Sequence, residues 1–166
     1  MGALCKLVDA ILLLQFVLIS VMAPLIDSQI IFQEIIYPEG LVRLKNWFAA
    51  EFQDYLMLEK PHFVVGIIWH ELVFLWPLAL LNVYGILTSK PWFKTTCLIY
   101  GASVVTSMAA LFGEILGSNK ASDKFLMLCA FIMGFGVLAL LRGLLTCKTA
   151  TSTAAKGPAL ARKKRV

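Results

Sequence analysis

A histidine and a glutamate, His70 and Glu71, stand side by side inside the apolar run IIWHELVFLWPLALL. An ionisable side chain at membrane depth costs ~2.5–3.5 kcal/mol on insertion scales, so it tends to face a bundle interior and to have a partner or a task. Four carboxyls stand within or at the ends of apolar runs: Asp9, close enough to the chain start to reach the headgroups, and the three candidates Asp27, Glu71 and Glu114. Glu71 is the most expensive, about 8 residues and roughly 12 Å below the start of its run at 1.5 Å per residue. Pro24 cannot donate a helical hydrogen bond, so the preceding run can kink or end early and let Asp27 meet Glu71. Two carboxyls held close at low dielectric do not both ionise; they share a proton and carry one negative charge. Such a pair suits a cationic amine or a positively charged intermediate. The structural alternative is a hydrogen-bonded cluster that fixes helix register. His70 lies about 100° around a helix from Glu71 and fits a ring satisfied by a backbone carbonyl better than a catalytic one. No His, Cys, Asp or Glu spacing makes a metal site, and no cofactor is expected.

The elements that must position these groups follow from composition. The chain has 166 residues, 60% of them hydrophobic and 15% charged, with a mean hydropathy of +0.82. That leaves too little polar surface to coat a soluble globule. A helical span needs about 20 mainly apolar residues, and four stretches meet this: about 7–26, 63–87, 95–116 and 125–145. None alternates like a barrel strand. The expected fold is an all-α, four-helix transmembrane bundle occupying residues 1–146, followed by a basic, disordered tail over 147–166. The first stretch outlasts a signal-peptide core and is followed by no small-residue cleavage site, so it reads as an uncleaved span. The four cysteines, Cys5, Cys97, Cys129 and Cys147, show no paired spacing and read as small apolar fillers, with Cys5 and Cys147 as acylation candidates and no disulfide framework.

Residues 28–60 form the longest connection. Leu41, Leu44, Phe48, Phe52, Tyr55 and Leu56 recur every three or four positions, predicting an amphipathic helix that lies on the bilayer or caps the bundle. With the N-terminus in the cytosol, ten Lys and Arg fall on the cytosolic side and five opposite, which places both termini in the cytosol. The chain ends KKRV, so Lys163 and Lys164 match a dilysine retrieval signal of the endoplasmic reticulum.

These residues carry a resemblance. The stretch from Asp27 to Tyr37-Pro38, then Trp47, Glu51-Phe52-x-Asp54, Glu71-Leu72-Val73-Phe74 and Pro77 together resemble the sigma-2-receptor branch of the EXPERA family, which also contains the emopamil-binding sterol isomerase. The resemblance implies that Asp27 pairs with a ligand's cationic amine and that Glu71 hydrogen-bonds Asp27 in a pocket open to lipid. It further implies that Asp54 belongs to an acidic set near the pocket mouth and that Tyr100 and Thr106 of the third span help line it. Sterols or oxysterols and hydrophobic amines are the implied ligands, and a homodimer the implied assembly. The fourth span, FLMLCAFIMGFGVLALLRG, lacks the tyrosine and proline of that branch.

Two classes of function remain open. One is a binding protein in sterol homeostasis or trafficking. The other is an isomerase or cyclase in which Glu71, Asp27 and possibly His70 do acid–base chemistry on a sterol or terpenoid. The isomerase carries a histidine one turn before its glutamate, where this chain has Ile67, which tilts the reading toward binding. No filter-like loop or charged ring suggests a channel. Nucleic acid is not an expected partner, because the net charge of +5 comes largely from a tail without interleaved aromatics.

Overall fold

The computed structural model describes residues 2–32, 36–52, 55–118 and 120–145. Asp54 and the tail, including Lys163 and Lys164, lie outside the described residues. Helix α1 (Gly2–Leu25) runs into a 3-10 turn, Asp27–Ile30. The connection holds α2 (Glu39–Phe52) and the short α3 (Tyr55–Glu59). The second span is continuous but not uniform: α4 (His62–His70), a π-helical turn Glu71–Leu75, and α5 (Trp76–Leu87). Helices α6 (Phe93–Ser118) and α7 (Asp123–Leu144) complete the bundle. Among the described residues, four segments are long and apolar enough to cross a membrane: Ala3–Ile30, His62–Leu87, Phe93–Ser118 and Asp123–Leu144. The all-α membrane bundle expected from hydropathy is therefore what the chain forms, with ends shifted by a few residues.

Apolar side chains pack into two clusters. One holds Leu12, Phe16, Leu75, Ala79, Phe93, Cys97, Tyr100, Val104 and Ala139, with the Phe16 and Tyr100 rings edge to face at 5.0 Å. The other, toward the α2–α3 connection, holds Ile30, Leu56, Val64, Ile68, Ile115, Phe125 and Cys129. Between α6 and α7 the backbones touch. A Cβ at Gly101 would stand 2.3 Å from the Leu140 nitrogen, and one at Gly143 would stand 2.7 Å from the Leu98 backbone. Lipid offers no hydrophobic drive for helices to associate, so close backbone approach through small residues supplies the dispersion that holds this pair together.

The connection caps one end of the bundle. Ser122 Oγ donates to the Phe52 carbonyl at 2.7 Å, and the Tyr55 and Ser118 hydroxyls meet at 2.8 Å. The ion pairs Lys124–Glu51 and Lys120–Glu59 are exposed, so solvent screens them and they add little to stability. Glu59 hydrogen-bonds the Lys120 ammonium and holds its pKa above the ordinary lysine value. The cap therefore rests on the buried cluster and the hydroxyl bonds. Its buried face differs from the expected one: Lys45 and Ala49 are inside, while Leu44 points outward. A second difference lies at the opposite end. Asp9 does not simply reach toward headgroups; its carboxylate is bound by Arg142, with Nε at 2.6 Å and Nη2 at 3.0 Å. Arg142 belongs to the last turn of α7 rather than to the tail, and the bidentate pair fixes the start of α1 beside the end of α7. Cys97 and Cys129 are buried free thiols as read.

The α6–α7 seam predicts a contrast between two glycines of one helix. Gly101→Ala must push the backbones apart and should destabilise the detergent-solubilised protein by about 1–3 kcal/mol. Gly113 has nothing within 4 Å of an added Cβ. Gly113→Ala should leave the thermal midpoint unchanged or raise it, through a helix propensity gain of about 0.5–1 kcal/mol. Equal midpoints for the two variants would remove the seam as the source of α6–α7 association.

Candidate functional site

Two prolines shape the region around Glu71. Pro24 lies inside α1 and has no N–H, so the Ser20 carbonyl, its i−4 partner, loses its helical donor. The Trp76 indole supplies the missing bond, with Nε1 donating to the Ser20 oxygen at 3.0 Å. Beyond Pro24 the exit of α1 is held by side chains. Ser28 Oγ donates to the Pro24 carbonyl at 2.5 Å and meets the Tyr37 hydroxyl at 2.8 Å. Gln29 Nε2 donates to Leu25 at 2.6 Å and to Leu41 at 3.3 Å. Asp27 opens the 3-10 turn so formed, is half-buried, and sits on an element packed against α4.

Pro77 acts on the second span. Mid-helix, its ring would clash with the carbonyl four residues back. The turn before it widens instead, and Trp76 N–H bonds to the Glu71 carbonyl five residues behind. Glu71 is the first residue of this π-helical turn. Single π-turns inside α-helices concentrate at functional sites. The sequence signal for it was Pro77 itself, a proline in mid-span.

The Glu71 side chain borders a cavity of about 70 Å³ whose other polar contributors are Gln15, Tyr100 and Ser107. Ile19, Ile67, Leu75, Val104, Met108 and Phe135 supply much of its apolar wall. Gln15, on α1 and buried, was not singled out by sequence reasoning, because one glutamine in an apolar run has no spacing to mark it. His70 turns elsewhere. Its ring stacks on Phe74 at 5.4 Å between centroids, and its Nδ1 stands 3.4 Å from Ser107 Oγ, a long contact. With Ala102, Ser103, Thr106 and Ser107 it borders a shallow lateral groove of about 390 Å³.

The expected site residues thus fall in different places. Glu71 and Tyr100 share the cavity; His70 and Thr106 share the groove; Ser107 borders both. Asp27 is not among the residues lining either space. Glu114 is exposed near the end of α6. Glu51 and Phe52 of the acidic motif bind the α6–α7 turn through Lys124 and Ser122. Among the described residues, no group of three His, Cys, Asp or Glu side chains could hold a metal ion.

Comparison with known proteins gives this arrangement a family. Residues 41–144 match the family model described as EBP: EXPERA (EXPanded EBP superfamily). The chain is 28% identical over 101 residues to the Sigma intracellular receptor 2 of Xenopus tropicalis, covering 60% of this chain and 59% of that protein. It is 30% identical over 91 residues to the Homo sapiens protein of the same name, covering 54% and 52% respectively. The match thus spans between half and three-fifths of the length of these curated relatives.

The repair of the first span by the second predicts a coupled pair. Trp76→Phe leaves the Ser20 carbonyl without its donor and should cost about 1–3 kcal/mol in thermal unfolding. In a Pro24→Ala background the restored N–H at position 24 serves that carbonyl, so the same Trp76→Phe change should cost less than half as much. Identical costs in both backgrounds would show that the indole bond does not substitute for the proline's missing donor.

Proposed function

The chain belongs to the EXPERA family, and from that premise we propose that it is a membrane protein binding a sterol-like or oxysterol-like lipid and cationic amphiphilic amines. In this reading Asp27 and Glu71 share one proton and form the polar end of the site. Asp54, Tyr100 and Thr106 complete it as the ligand's further contacts. The protein resides in the endoplasmic reticulum as a homodimer, with both termini cytosolic and Lys163 and Lys164 as its retrieval signal, and takes part in sterol homeostasis or trafficking.

One observation carries the reading: a carboxyl, Glu71, at the head of a π-helical turn, borders an otherwise largely apolar cavity inside a membrane bundle. The 3-10 turn of Asp27 packs on α4, which leads directly into that turn. Size sets a condition. Ligand sites are typically ~300–1,000 Å³, and the closed cavity measures about 70 Å³. A sterol-sized ligand therefore needs the cavity to open. Ser107 borders both the cavity and the lateral groove and meets His70 in a long contact; in this reading, parting these two side chains joins the spaces and gives entry from the lipid. Met108, an unbranched and adaptable wall residue, can move with them.

The second reading is an isomerase or cyclase, favoured by the carboxyl and the Tyr100 phenol bordering one cavity. Glu71 would be the proton donor and Asp27 the base, with His70 facing the groove rather than the cavity.

Purified protein in detergent should bind a labelled cationic amphiphilic amine, and Asp27→Asn or Glu71→Gln should each weaken binding by about tenfold or more, ~1.4 kcal/mol. Sterols incubated with the protein should be recovered unchanged by mass spectrometry. Glu71-dependent isomerised product would establish the enzyme, and undiminished amine binding by both variants would sink the proposed site.

A further inference from the structure

At the end of the bundle away from Glu71, a second cavity of about 250 Å³ is bordered by Asp9, Ser89, Lys90, Lys94, Phe93 and Arg142. Its charge is lopsided. Three cations meet one carboxylate, and both oxygens of that carboxylate are already bound by Arg142. The Arg142 side chain is 9% exposed, and its Nη1 is buried without a hydrogen-bond partner among the described residues. A guanidinium has five N–H donors in a fixed fork, so the Asp9 pair leaves donors over. A buried, unsatisfied donor is costly, and a guanidinium nitrogen left over beside two lysines calls for an acceptor with several oxygens.

The surroundings favour an anion further. Carbonyls at the end of α5 do not compete for the space, because the turn consumes them: Thr88, Ser89 and Lys90 N–H groups bond to Tyr84, Ile86 and Gly85. Neither Lys90 nor Lys94 is in an ion pair among the described residues; Lys90 instead lies 5.8 Å from the centre of the Tyr84 ring.

Depth identifies the source of the anion. Tyr84 and Trp92 stack at 6.2 Å between centroids beside the α5–α6 turn, and Arg142 lies 5.4 Å over the Phe93 ring. Tyr and Trp gather where hydrocarbon meets headgroups, and basic pockets between spans at that level take lipid phosphates. The geometry points to a phosphate-binding site formed by Arg142, Lys90 and Lys94, filled by the phosphomonoester headgroup of an anionic lipid. The site is separate from the Glu71 cavity and does not depend on the function proposed for it.

The full-length protein in neutral detergent tests this by native mass spectrometry and thermal shift. The probes are dioctanoyl phosphatidic acid, dioctanoyl phosphatidylcholine and inorganic phosphate at matched ionic strength. Phosphatidic acid should bind at least about tenfold more tightly than phosphatidylcholine. Lys90→Gln/Lys94→Gln, at an exposed and a half-buried position that hold no ion pair, should lose about tenfold in that affinity with an unchanged melting temperature before lipid is added. A variant with Arg162, Lys163, Lys164 and Arg165 replaced by glutamine should bind as wild type does, separating the cavity from the tail. Inorganic phosphate as potent as phosphatidic acid, and equally sensitive to Lys90 and Lys94, would support the site with a free anion as occupant. Equal binding of the two lipids, undiminished binding by the lysine variant, or loss confined to the tail variant would each overturn it.

Discussion

In hydrocarbon there is no water to take up a stray carbonyl or amide, so every break in a spanning helix must be repaired from within the protein. Two prolines impose that constraint here. Pro24 frees the Ser20 carbonyl in the first span, and the second span answers with the Trp76 indole. The residue after that tryptophan is Pro77, which widens the turn behind it into a π-helix headed by Glu71. One dipeptide therefore both mends α1 and breaks its own helix. The polar side chains that follow, Ser28 and Gln29, tie off the exit of α1 and hold the turn bearing Asp27. Carboxyls collect at this end because its backbone is already irregular and already supplied with hydrogen-bonding groups.

The opposite end is regular and rigid. Gly101 and Gly143 bring α6 and α7 to backbone contact, and the Asp9–Arg142 pair ties α1 to α7. Magnitudes rank these ties. Exposed pairs such as Arg43–Glu39 or Lys120–Glu59 are screened by solvent and add little. Removing one partner of a buried pair costs about 3–5 kcal/mol, because a charge is left stranded. Arg142 is in the second situation, so the alignment of α1 with α7 is strongly determined while the surface pairs adjust freely.

Much of this architecture is readable in the sequence, because hydropathy over about 20 residues reports directly on what lipid accepts. The four spans and the capping helix follow from it. The face of α2 did not follow: the pattern offered Leu44 for burial, and the structure buries Lys45 and Ala49 instead. Periodicity marks apolar residues as inward, and it fails on a helix that has lipid or solvent on one side and a polar bundle end on the other. The Asp9–Arg142 pair was illegible for another reason. Its partners are 133 positions apart, and no local pattern links them; counting Arg142 as a tail charge hid it further. At the site, Glu71 stood out by its depth and Tyr100 by resemblance, and both border the cavity. Thr106 borders the groove instead, since residues 100 and 106 lie on different sides of α6 at about 100° per residue.

The closed cavity also constrains what can enter it. A space of about 70 Å³ corresponds to about two waters at roughly 30 Å³ each, and its polar lining, Glu71, Gln15, Tyr100 and Ser107, supplies the partners such waters require. A ligand that displaces them must return hydrogen bonds to Glu71, because a carboxyl left unsatisfied in an apolar site costs more than the hydrophobic gain from a few methylenes. A pure hydrocarbon therefore makes a poor occupant whatever its shape. In the proposed binding role, an amphiphile with one ammonium or hydroxyl at its tip meets the requirement: the polar tip bonds Glu71 while the apolar body extends past Ser107 toward the lateral groove. Under that proposal, selection rests on the polar tip, and the body of the ligand need only match the width of the opening.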